Sequence, residues 1–168
     1  MLKYLLIAIL YGGALMALEI ESSAFGEGDT IPVRYTGDGK DLSPPLFFND
    51  IPANAKSLVL IVDDPDAPGG TWDHWLLFNI PTDTTELPEG IFDRETLPNG
   101  AIQGKNSWGK VGYNGPNPPK GSDHRYIFKL YALDIALPLT PKATKHEVET
   151  AMGGHIIAQA RLTAHFSH

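Results

Sequence analysis

The chain has no cysteine. Disulfides are therefore excluded, as is attachment through a lipidated cysteine, and stability has to come from the packed core alone. Positive charge is scarce: 13 lysines and arginines stand against 20 aspartates and glutamates, for a formal net charge of −7. That balance argues against nucleic acid as a partner, because broad electrostatic attraction is missing. Local anion binding stays open, through backbone N–H groups, helix N-termini or a few cationic side chains. There is no internal repeat, no low-complexity tract and no charge block, and no long amphipathic helical pattern before about residue 142. An HExxH motif, an EF-hand loop and a GxSxG elbow are all absent. Neither a metal ion nor a serine nucleophile thus has a diagnostic signature, and no cofactor is expected.

A run long enough to span a membrane is missing too. One cation, Lys3, precedes an uncharged stretch from Tyr4 to Leu18, which is 15 residues long and carries two central glycines. About 20 apolar residues are needed for a span. The pattern reads as a secretory signal peptide over residues 1–17, with Ala17 as a tolerable cleavage site. An uncleaved anchor and an ordinary buried segment are the alternative readings of the same residues. Cleavage would leave a single domain, residues 18–168, without a stable membrane span and located in the periplasm or outside the cell. A chain of this length suits one domain with a real core.

What the sequence has in quantity is turn chemistry. It carries 17 glycines and 14 prolines, more than a helical bundle would tolerate. Short apolar runs alternate with turn segments such as TGDGKDLSPP, PTDTTELPEG and YNGPNPPKG. The expected fold is mainly β: an antiparallel β-sandwich with a few short helices, two of them near the C-terminus. Strands are expected over Leu18–Ser22, Leu58–Val62, His74–Ile80 and Arg125–Leu133. The second is apolar throughout, so it should be central and covered on both faces. Thr144 with Glu147 three residues on forms a capping-box pattern that opens a helix, and Gly153-Gly154 closes it. A second short helix is expected over His155–Gln159, followed by a final strand over 160–166.

Two stretches are dense in chemistry. The first is DDPDAPGGTWDHW, residues 63–75. Its prolines disfavour helix, and Asp64 and Asp66 can bond backbone N–H groups in a tight turn. On that ground it is a turn. Strand alternation adds a second possibility, because side chains two apart share a face. Trp72, His74, Leu76 and Phe78 are expected on one face of their strand. His124, Tyr126, Phe128 and Leu130 are expected on one face of theirs. Each strand then opens with a polar ring at the rim of an apolar core, where pockets form. The second stretch is YNGPNPPKGSDHRY, residues 113–126, which delivers His124 and Tyr126 on a rigid backbone with Lys120 and Arg125 nearby. It also reads as a solvated loop. His155, at a helix start, could sit near an anion.

Taken together, DPDAP, the Trp72-Asp73-His74-Trp75 run, GPNPPKG and HRYIFKLYALD resemble the phosphatidylethanolamine-binding protein family, also called the Raf kinase inhibitor protein family. The short Gly-Gly-Thr spacer between Pro68 and Trp72 resembles its bacterial and archaeal branch. IPVRYTGDGKDLSPPL and GGHIIAQARL also fit, so the resemblance runs from about Ile20 to Phe166. Phe48 and Gly37 depart from the tryptophan and cysteine often found in the family, and Asn117 from the glycine that some relatives place before the proline pair. The resemblance implies a β-sandwich with a small surface pocket for phosphate-like anions or phospholipid head groups. It implies that Asp64, Asp66 and His74 line one side, Pro118, Pro119, His124 and Tyr126 the other, with Trp72 at the rim.

The leading expectation is an exported, non-enzymatic binding protein with a small anionic ligand, modulating a protein partner whose identity the sequence does not reveal. A homodimer is the oligomer this reading admits. A protease or kinase inhibitor acting through surface loops is the first alternative. A hydrolase using His74 with Asp64 or Asp66 is the second.

Overall fold

The structure, a computed structural model, describes residues 17–168; residues 1–16, which carry nearly all of the expected signal peptide, lie outside the described residues. Among the described residues, eight strands and one α-helix follow in chain order: β1 Glu19–Glu21, β2 Leu46–Asn49, β3 Ser57–Asp64, β4 Trp72–Ile80, β5 Glu86–Leu87, β6 Ile102–Gln103, β7 Asp123–Leu133, α1 Lys145–Met152 and β8 Ile156–Ser167. They form two antiparallel sheets, one of three strands in the order β1-β2-β5 and one of five in the order β6-β4-β3-β7-β8. The mainly β, antiparallel sandwich expected from the turn-rich sequence is what the chain adopts.

The core has two compartments. Between the sheets, Leu46 and Phe48 of β2 meet Leu58, Leu60 and Val62 of β3, Trp75 and Leu77 of β4, and Tyr126, Phe128 and Leu130 of β7. On the outer face of the larger sheet, Val59 and Ile61 pack with Leu76, Phe78 and, from α1, Val148 and Met152. Strand β3 is therefore buried along its whole length, as its unbroken apolar run requires. A fully buried Val, Leu or Ile contributes roughly 1.5–3 kcal/mol, so the five apolar residues of β3 are a main source of the core's stability.

Helix α1 opens as its sequence indicates. Thr144 accepts from the Glu147 backbone N–H, and the Glu147 carboxylate accepts in return from the Thr144 N–H at 2.7 Å. The second C-terminal helix does not form. Residues from Ile156 onward are strand β8, paired with β7 from Leu133 to Asp123. The reason is that β7 is eleven residues long and would otherwise present an open row of N–H and C=O groups. A five-residue helix could not satisfy that row. Gly154, with φ of 78°, makes the turn that sends the chain from α1 into the strand.

Regular alternation also fails in β4. Val62 faces Trp75 across the β3–β4 ladder, but the next residue, Asp63, faces Asp73. One strand advances by one residue and the other by two, which leaves His74 as the extra residue of a β-bulge. Leu76 and Phe78 therefore lie in the outer compartment, opposite Trp75 and Leu77. The expectation that they share a face with Trp72 and His74 is corrected: the bulge inverts the face between Trp75 and Asp73. His74 still reaches the inner side, where its ring stands edge-on to Tyr126 at 5.1 Å.

Candidate binding pocket

At one end of the sandwich, β3, β4 and β7 stop around a cleft of about 310 Å³. Asp64, Trp72, His74, Pro118, Pro119, His124 and Tyr126 line it, together with Ala67, Pro68, Gly69, Trp108 and Asn117. A wider cleft of about 840 Å³ opens between β1 and β8, but it gathers no buried ionisable side chains. The smaller one gathers four: Asp64, His74, His124 and Tyr126, each no more than 5% exposed.

The chain turns sharply after Asp64. Its Oδ1 accepts from the Asp66 N–H at 2.8 Å, an Asx turn that the following prolines support. Its Oδ2 lies 2.7 Å from His124 Nδ1. A carboxylate can only accept, so Nδ1 carries the hydrogen and Nε2 is left free. His74 is held in the same way by a different partner. Its Nδ1 is 2.6 Å from the Asn114 carbonyl, which again fixes the hydrogen on Nδ1. Two buried imidazoles thus have their Nδ1 atoms committed and their Nε2 atoms uncommitted. Burial pushes His74 below the ordinary imidazole value, against the opposing pull of the Asn114 carbonyl and of Asp64. Burial pushes the Tyr126 phenol up, with Asp64 adding to the effect, so its hydroxyl stays protonated and able to donate.

Asp66 is placed differently from Asp64. It does not line the cleft. Its carboxylate accepts from the Arg125 backbone N–H, from Nε and from a terminal guanidinium nitrogen, at 2.8–2.9 Å. The guanidinium holds its carboxyl well down, at about 2. Asp66 therefore ties the DPDAP turn to the start of β7, and Arg125 has its charge spent there rather than in the cleft.

Trp108 is a wall residue that strand reasoning did not find. Its ring stands edge-on to His74 at 5.0 Å and to Trp72 at 5.4 Å. The loop that carries it is built around Asn106, whose Oδ1 accepts from the Trp108 and Lys110 N–H groups and whose Nδ2 donates to Asn114 Oδ1. The signal was a tryptophan in a turn segment punctuated by Gly109 and Gly112, both at positive φ. Asn117 rests on Gly37, where an added Cβ would come within 3.1 Å of the Asn117 Cβ. The departure at Gly37 thus gives room to the residue at the pocket lip. His155 is not near the cleft; it pairs with Asp134 at the far end of β7.

Chemically, the cleft offers a phenol O–H donor and two imidazole Nε2 atoms. Neutral rings present lone pairs there, and protonated rings present N–H donors. An anion gains Nε2–H donors when those rings take up protons, and the carboxylate of Asp64 offsets the charge on His124.

A family model described as phosphatidylethanolamine-binding protein matches residues 21–167. A UPF0098 protein of Methanothermobacter thermautotrophicus is 50% identical over 145 residues, spanning 86% of this chain and 95% of that one. A phosphatidylethanolamine-binding protein homologue from Chlamydia trachomatis superposes with a TM-score of 0.83 at 42% identity, over 90% of this chain and 98% of that one. E. coli YbcL, described as a member of the mammalian family, gives a TM-score of 0.83 at 32% identity, over 91% and 99%.

Proposed function

Because the chain belongs to the phosphatidylethanolamine-binding protein family, we propose that it is a non-enzymatic binding protein whose cleft holds a phosphate-like anion or a phospholipid head group. One observation carries the reading: two buried histidines have Nδ1 committed to protein acceptors, the Asn114 carbonyl and the Asp64 carboxylate, leaving Nε2 and the Tyr126 hydroxyl for one small ligand. The cleft lining includes no serine, threonine, cysteine or lysine. Ser107 accepts from the Asp73 N–H, and Ser122 donates to the Pro119 carbonyl. Neither is poised as a nucleophile, which favours binding over hydrolysis. Calorimetric titration with inorganic phosphate near pH 6 tests the proposal. Saturable binding that shifts the His74 and His124 ring resonances is expected, and no binding up to tens of millimolar phosphate would reject it.

The protein is further proposed to act outside the cytoplasm after loss of residues 1–17, and to modulate a partner protein while the cleft is occupied. The charge and apolar pattern of the N-terminus supports export. Intact-mass analysis of protein from the envelope fraction should give a chain beginning at Leu18. Full-length protein confined to the cytosolic fraction would sink that part.

A further inference from the structure

The bulge that presents His74 has a competitor. Strands β3 and β4 could pair in continuous register, with His74 opposite Asp63 and Asp73 opposite Asp64. A one-residue shift sends every following side chain to the other face. His74 would then point outward beside Leu76, and Asp73 would enter the cleft. The observed register carries a cost of its own. It sets Asp63 directly opposite Asp73 on the outer face, and like charges directly opposite across a sheet are destabilising.

Lys145, the first residue of α1, lies between them. Its Nζ is 2.7 Å from Asp63 Oδ2 and 3.0 Å from Asp73 Oδ1. Its side chain is only 16% exposed. Lys129 also reaches Asp63 Oδ2, at 2.8 Å, but forms no ion pair with Asp73. Lys145 is thus the cation that bridges the two strands at the bulge. Asp63 and Asp73 sit back to back with Asp64 and His74, each the chain neighbour of a cleft residue.

We infer that Lys145 is a positioning residue for the pocket: by bridging Asp63 and Asp73 it holds the β3–β4 register that turns His74 into the cleft. The inference rests on the binding reading only for its affinity readout. Burial works against the Lys145 charge, and the two carboxylates overcome it, raising its pKa; the ammonium is charged throughout the working range.

The experiment compares Lys145→Met, Lys145→Arg and Lys129→Met by phosphate titration and by ¹⁵N NMR of the His74 ring. Lys145→Met should weaken phosphate binding on the order of a hundredfold, as misplacement of a contact group does. It should also abolish the Nδ1–H tautomer signature of His74, because the Asn114 carbonyl is lost as a partner in the shifted register. Lys145→Arg should restore both, and Lys129→Met should change neither. Wild-type affinity and an intact His74 signature in Lys145→Met would overturn the inference, as would equal losses in Lys129→Met. Should Lys145→Met fail to fold, Lys145→Gln keeps a polar head without the charge and is read by the same signature; full retention there also overturns it. If the wild-type protein does not bind phosphate, the ligand reading fails while the tautomer readout still decides the role of Lys145.

Discussion

Alanine at His124 is expected to remove phosphate binding and to weaken the fold together. The ring supplies one of two Nε2 donors in the cleft, and a hydrogen bond to a charged group contributes about 1.5–3 kcal/mol. Its loss alone should lower affinity by at least about tenfold. A second effect works in the same direction. The Asp64 side chain is 6% exposed, and the His124 Nδ1–H is its side-chain hydrogen-bond donor. Without the imidazole, Asp64 keeps one backbone N–H donor, from Asp66, and an uncompensated carboxylate then faces the incoming anion. Removing one member of a buried pair costs about 3–5 kcal/mol when the survivor stays charged. The measured loss should fall below that range, since the open cleft lets water reach the carboxylate. Chemical denaturation of His124→Ala and of the double variant with Asp64→Asn separates the two effects. The double variant should regain most of the stability and none of the binding. Undiminished phosphate affinity in His124→Ala would show that the anion binds elsewhere.

How much of this was legible beforehand differs between strands for physical reasons. Strand β7 has no bulge before Ala132, so strict alternation placed His124, Tyr126, Phe128 and Leu130 together correctly. Strand β3 was legible because five consecutive apolar residues have no other use than burial on both faces. Strand β4 was not, because a bulge is a property of a pair of strands. Nothing in Trp72-Asp73-His74-Trp75 alone says that Asp63 will face Asp73. Alternation therefore grouped His74 with Trp72, which line the same cleft, and also with Leu76 and Phe78, which lie across the sheet. Asp64 and Asp66 are chemically identical and two residues apart. Which of them enters the cleft depends on Arg125, 59 residues further on, and that contact exists only in the fold. The segment after Gly154 carries Ala and Gln, acceptable in a helix, but its state is decided by the length of the neighbouring β7 edge.

Anion affinity should rise steadily as pH falls from 8.5 to 5.5. The direction follows from where the hydrogens are. Both Nδ1 atoms are already donors to fixed acceptors, so each ring can offer a hydrogen from Nε2 only when it is cationic. Binding an anion favours that form, so binding takes up protons and the association constant falls as pH rises. Each proton taken up contributes at most about tenfold per pH unit. Burial depresses His74, so its share of the rise should continue below the ordinary imidazole value of about 6.5. Folding stability runs the other way. His74 has a folded pKa below its unfolded one, so the stability it contributes is present above the unfolded pKa and is lost as pH falls through and below it. Asp66 and Glu89, both held at about 2, stay ionised across this window and add no slope. The ligand-free protein should therefore melt at a lower temperature at pH 5.5 than at pH 7.5. The stabilisation by a fixed anion concentration should grow over the same interval, since it follows the ratio of that concentration to Kd. Sulfate is the informative probe, because unlike phosphate it does not titrate here and any slope belongs to the protein. His74→Asn should flatten the part of the slope below pH 6.5. Sulfate affinity that stays flat from pH 8.5 to 5.5 would mean the imidazoles are not the donors.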